Sequence, residues 1–120
     1  MREQLLMSVL SDLNATSVDI IASAVISTDG LPIATLMPKT LDQDRVGAMS
    51  ATLLALGSHA AGELACGELD QVMVKGKTGY ILLNQAGSDA VLTLMAKESG
   101  KLGLILLDAK RAAKHIADIL

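Results

Sequence analysis

The sequence predicts an α+β domain with the element order α-β-β-α-β-β-β-α. Three observations carry that expectation. The stretch Val18–Thr28 is rich in β-branched residues and apolar on both alternate faces, as a strand covered on both sides is. From Val46 through Gly62 apolar residues recur at helical spacing with no Asp, Glu, Lys or Arg among them. Between Leu69 and Ala96 three strand-like runs are separated by glycine-bearing turns, the pattern of a meander.

Taken in order, Leu6, Val9, Leu10 and Leu13 repeat at helical spacing and predict a short first helix. The first strand follows in "VDIIASAVIST". Asp29-Gly30 then suits a tight hairpin of type I′, whose two central residues need positive φ. The return strand is "LPIATL". Pro32 cannot donate to a ladder and marks a sheet edge.

Pro38 ends that strand, and Thr40 with Gln43 three residues on resembles a capping box. Asp42 and Asp44 fall in the first helical turn, where carboxylates complement the helix dipole. The second helix is predicted from about Leu41 to about Ala65, with Gly67 placed to end it. Strands follow at Leu69–Lys75, Tyr80–Ala86 and Ala90–Ala96. The last segment alternates briefly at Leu102, Leu104 and Leu106. Over its full length Leu102, Ile105, Leu106, Ala109, Ala113, Ile116 and Leu120 keep one helical face, so a helix is predicted.

The totals bound the function. A chain of 120 residues forms one domain, here read as residues 1–120, and buries roughly two thirds of its unfolded surface. Tyr80 is the only aromatic residue, so the core is aliphatic and few side chains can stack on bases or ring cofactors. A net charge of −3 argues against a nucleic-acid partner. The single Cys66 excludes an internal disulfide and suits a reducing compartment. The N-terminal stretch lacks a signal-peptide core, and no run reaches the ~18 apolar residues of a membrane span. These features predict a cytoplasmic protein with no membrane insertion.

The second helix is the informative element. At ~100° per residue Val46, Met49, Leu53, Leu56, Ala60 and Leu64 share one side and read as its core stripe. Nearly opposite lie Gly47, Ala51, Ala55, Ser58 and Gly62, a smooth face where a sheet-covering helix normally carries charge. Small residues in register let helix backbones approach closely. Interior glycines cost a helix ~1 kcal/mol each, which a contact must offset. The expectation is that another chain covers this face, through Gly47, Ser50, Ala51, Leu54, Ala55 and Ser58. The third strand, "LDQVMVK", is less uniformly apolar than its neighbours and has no proline to block pairing. It reads as an open edge, a liability unless something pairs with it. A two-fold dimer joining the two copies of this strand satisfies it. The predicted interface comprises Leu69, Gln71, Val72, Met73 and Val74, with His59 from the charge-free helix.

These residues are familiar together. "STDGLPIA", "DQDRVGAMSATLLALG", "VMVKGKTGYILL" and "DAVLTLMAKESGKLGLILL" resemble the roadblock/dynein light chain family, closest to its stand-alone prokaryotic, MglB-like members. The likeness covers about Leu5 to Ile119 and rests on fold residues. It implies a five-stranded antiparallel sheet in the order 2-1-5-4-3, the long helix on one face and the terminal helices on the other. It also implies homodimers with paired third strands and antiparallel long helices. Members of the family bind Ras-like small GTPases as activators or scaffolds, or act as adaptors in motor and signalling complexes.

Other candidate chemistry is weak. "KGKTGY" contains Gly-Lys-Thr, but Gln71 stands where a phosphate loop needs glycine and a strand follows, so a turn is the reading. Asp42 and Asp44 have no further ligand close in sequence, and His59 and His115 are isolated, which excludes a sequence-local metal site. Cys66 lacks an activating base and reads as a small filler. Lys110, Arg111 and Lys114 form a basic, solvated side of the last helix. Arg45 raises an arginine finger, against the commoner ion pair with a helical Asp. The sequence therefore predicts no catalytic residue, no metal and no cofactor. It predicts a homodimeric regulator or scaffold of a Ras-like GTPase. The rivals are a dimeric structural adaptor without a GTPase, and a small-ligand sensor, which the scarcity of aromatic and convergent polar residues disfavours.

Overall fold

A computed structural model describes all residues, Met1–Leu120. Its elements are α1 (Arg2–Ala15), β1 (Ile20–Ser27), β2 (Pro32–Leu36), α2 (Gln43–Glu63), β3 (Gln71–Lys75), β4 (Gly79–Gln85), β5 (Ala90–Lys97) and α3 (Leu102–Ile119). The strands form one antiparallel sheet in the order β2-β1-β5-β4-β3. α1 and α3 pack on each other and on one face; α2 crosses the other.

Strand alternation divides the core unequally. Leu82, Ala90, Leu92, Leu94 and Ala96 face α1 and α3, where they join Leu6, Leu10, Leu13, Ile105, Ala109 and Ile116 in the main aliphatic cluster. The aliphatic cluster on the α2 side has five buried members, Ala24, Ile26, Leu54, Leu83 and Val91. Most hydrophobic stabilisation therefore comes from the two-helix face, since it scales with apolar area removed from water. The thin layer under α2 means that helix lies close to the sheet.

Local chemistry departs from expectation at three turns. The β1–β2 connection is Thr28–Leu31, in which the Gly30 N–H donates to Ser27 O at 2.9 Å and the Ser27 N–H to Leu31 O at 2.8 Å. Only Gly30 in it has positive φ, +91°. Asp29 does not, so the turn is not type I′; one left-handed residue closing a tight turn matches the longer hairpin loop. The N-cap of α2 is Asp42, whose carboxylate accepts from the backbone N–H groups of Asp44 (3.0 Å) and Arg45 (3.3 Å). Thr40 makes no capping box, and Gln43 instead reaches Thr35 at 3.0 Å. At the other end Cys66 N–H donates to Ala61 O at 2.8 Å and Ala65 N–H to Gly62 O at 3.2 Å. This double closure is a Schellman motif. Its left-handed residue is Ala65, φ +56°, in place of the expected glycine. Cys66 is exposed and not a filler. The Gly-Lys-Thr stretch is the β3–β4 turn, with Gly76 N–H donating to Gly79 O at 2.9 Å.

The seat of α2 depends on small residues. A Cβ at Gly47 would lie 2.4 Å from Gly30 O, and one at Gly57 would lie 2.8 Å from Val72 Cγ2. Between them Ser50 accepts a hydrogen bond from Thr93 of β5 at 2.8 Å and donates to Val46 O at 2.7 Å, a buried polar pin. Replacing Gly47 by Ala forces backbone apart and is expected to destabilise by roughly 1–3 kcal/mol. Gly62→Ala meets nothing within 4 Å and should stabilise by up to about 1 kcal/mol. Opposite shifts in thermal unfolding check both. Ser50→Ala leaves Thr93 without its partner and should cost about 1–3 kcal/mol, whereas adding Thr93→Val recovers much of it. A double-mutant cycle by denaturant unfolding measures that coupling.

Candidate functional site

The charge-free helix is seated on a stripe that lies between the two predicted faces. Gly47, Ser50 and Leu54 are buried against the sheet, with Ala51 and Gly57 half-buried beside them. They are the seam of the domain's own packing and do not themselves present a surface. Of the six helix residues expected on the partner face, Ala55 and Ser58 are exposed. Ala55 flanks the outward side, and Ser58 lies at the edge of the seam.

The large aliphatic residues are the ones turned to water. Met49 is 56% exposed and Leu56 62%, and Leu64 at the C-cap is 75% exposed. Val46 and Leu53 are half-buried along the same flank. Ala48, Met49, Thr52 and Leu53 line a shallow apolar depression of about 360 Å³. The physical reason is distance. With the glycine and serine face seated so near the sheet, there is room for one large side chain, Leu54, and none for Met49 or Leu56. The expectation placed Met49, Leu56 and Leu64 inward because large apolar residues usually point that way. The signal that could have found this is the spacing Gly47, Ser50, Leu54, Gly57: every inward position of that face is either small or the single Leu that plugs the thin core.

β3 lies at the open margin of the sheet, paired only with β4 from Gln71↔Asn84 to Lys75↔Tyr80. Leu69 and Val72 are half-buried beneath Gly57 of α2. Gln71, Met73, Val74 and Lys75 are exposed, Met73 by 46%. The unpaired main-chain groups of this edge and the α2 flank thus belong to neighbouring parts of the molecule, because α2 crosses to β3 at Gly57. The other margin, β2, begins with Pro32, which has no N–H to offer.

Charged groups add little near this surface. His59 is exposed, and its Nε2 sits 4.0 Å from Glu63 Oε1, a solvated contact of small worth. Arg45 is exposed and makes no ion pair with Asp42 or Asp44. No ionisable side chain is buried, and no group of three His, Cys, Asp or Glu side chains converges to hold a metal. What the surface offers is apolar contact and main-chain hydrogen bonding. No helix is long and apolar enough to cross a membrane.

The Roadblock/LC7 domain family matches residues 9–96. The Methanocaldococcus jannaschii protein MJ1340 is 37% identical over 108 residues, spanning 90% of this chain and 93% of its own. Among solved structures, the gliding protein MglB of Thermus thermophilus superposes with a TM-score of 0.90 at 22% identity, covering 98% of this chain and 90% of that one. An MglB in a tetrameric arrangement gives 0.88 at 21% identity, covering 98% and 89%. At such identities the structural likeness speaks to the fold, and the sheet order, the three helices and their placement are those of MglB. The match over most of the chain and the relative at 37% identity place this protein in the Roadblock/LC7 family.

Proposed function

We propose that the protein is a non-catalytic homodimeric regulator or scaffold of a Ras-like small GTPase. Two copies join at β3, through Gln71, Val72, Met73 and Val74 with Leu69 and His59 nearby, and the paired α2 flanks receive the GTPase. The observation that carries this reading is the exposed aliphatic flank of α2, Met49 and Leu56 with Leu53 between them, adjoining an unblocked sheet edge. An apolar surface of this kind rimmed by polar residues marks a protein-binding site. An unpaired strand without proline or a covering segment calls for a second strand.

The likeness to MglB, one of whose structures is tetrameric, supports self-association of the same fold. The absence of charge along most of α2 supports a partner that inserts apolar switch-segment residues. Ordering such a mobile segment changes a GTPase without donating a catalytic group. Ala55 stays in the proposed contact, and Ser58 stays as its rim. Gly47, Ser50, Ala51 and Leu54 support the surface from beneath.

Light scattering at micromolar concentration should give twice the 12.4 kDa of one chain. A single-chain mass would overturn the dimer. Met49→Glu and Leu56→Glu replace exposed side chains, so unfolding should shift by no more than about 0.5 kcal/mol. Capture of the cognate GTPase should fall by about tenfold or more, as for a central contact residue. Unchanged capture by both variants would remove α2 from the interface. A dimer whose capture is intact but which leaves GTP hydrolysis untouched is a scaffold, and one that binds no GTPase is an adaptor.

A further inference from the structure

β3 has charge at its two ends and none between. Glu68 and Asp70 precede it, Lys75 closes it and Lys77 follows in the turn to β4, while Gln71–Val74 is uncharged. All four charged side chains are exposed, and none forms a salt bridge within its own chain. Lys75 is steadied by its neighbour on β4: its Nζ stands 5.9 Å from the centre of the Tyr80 ring. Asp70 and Gln71 both border the space beside α3. Lys75, four residues on from Gln71, projects from that same face of the sheet.

The direction of the free main-chain groups is also fixed. Gly76 N–H donates to Gly79 O at 2.9 Å, and the register continues as Lys75↔Tyr80 and Val74↔Ile81. Hydrogen-bonded pairs alternate with non-bonded pairs along an antiparallel ladder. Val72 and Val74 therefore bond to β4, and the N–H and C=O groups of Gln71, Met73 and Lys75 point out of the sheet. A second copy added by a two-fold axis keeps each side chain on its own face, so the pairing is centred on a residue. Centred on Met73, it uses all three outward residues. Met73 then faces its own copy, and Gln71 faces the partner's Lys75. Asp70 lies opposite the partner's Gly76, which has no side chain, and so between the partner's Lys75 and Lys77. Symmetry repeats the contact at the other end.

Lysine on a sheet edge normally repels a second strand. Here it repels all but one arrangement. A parallel partner sets Asp70 beside Asp70 and Lys75 beside Lys75, and like charges across strands destabilise. Sliding the antiparallel pair toward either end brings the same like charges together. The reversed copy in the centred register matches acid to base at both ends.

We propose that Glu68 and Asp70 at one end of β3, with Lys75 and Lys77 at the other, form a charge code that selects the partner, direction and register of the edge. The code admits a reversed copy of the same strand and refuses strands without its pattern. It rests on the β3 dimer proposed above and adds what decides which chain is accepted. The Asp70–Lys75 pairs are its centre, and Glu68 and Lys77 extend it.

The test is sedimentation of full-chain variants at low ionic strength. Glu68→Lys/Asp70→Lys makes both ends of the edge basic, and Lys75→Glu/Lys77→Glu makes both acidic. All four positions are exposed, so circular dichroism should show an unchanged fold. Each variant alone should dimerise at least about tenfold more weakly than the parent, with the deficit shrinking at high salt. Mixed in equal amounts, the two should form a heterodimer of parent-like affinity, because each end then meets its opposite. The chain with all four changes keeps the parent's net charge and should pair with itself again. Arg2→Glu/Lys39→Glu makes the same charge change at exposed positions away from β3 and should leave the dimer intact. Parent-like dimers from both variants, or variants that stay apart on mixing, overturn the charge code while a dimeric parent keeps the β3 reading. A parent that sediments as a single chain overturns both.

Discussion

Everything on one side of this molecule follows from how close α2 comes to the sheet. At Gly47 the helix backbone meets the carbonyl of Gly30 so closely that a single added carbon would overlap it. The same happens at Gly57 against Val72. Interiors pack at crystal-like density, so a helix this near leaves a layer only one small residue thick. Leu54 is the one large buried side chain that α2 contributes to it, and the Thr93–Ser50 hydrogen bond ties the helix to β5 where apolar packing is thin. The opposite face has the larger core, and there α3 presents an ordinary amphipathic stripe.

This constraint explains what could be read from the sequence. The order of elements, the edge character of β2 and β3 and the helical nature of Leu102–Ile119 all rest on patterns within a single segment, and those patterns held. The orientation of α2 did not. Its two faces are both free of charge, so polarity could not distinguish inward from outward, and the size of Met49 and Leu56 pointed the wrong way. What decides the matter is the approach of the β1–β2 hairpin at Gly30, a contact between residues 17 positions apart along the chain. The turn chemistry failed for a related reason. Asp29-Gly30, Thr40 and Gly67 each carry a strong local signal. The structure uses Gly30 alone, Asp42 and Ala65 instead, because strand register and the helix end set the conformations there.

The candidate surface was legible only in part. The β3 margin was visible from its mixed polarity and lack of proline. The flank of α2 was named as a core stripe.

The glycine seam also separates two kinds of selection. Because Met49 and Leu56 are mostly exposed, mutational drift at those positions has little folding cost. Drift at Gly47 or Ser50 is not. A lineage can therefore retarget the outer flank of α2 to new binding surfaces after gene duplication while the scaffold stays intact, and sequence divergence among paralogues should concentrate on that flank.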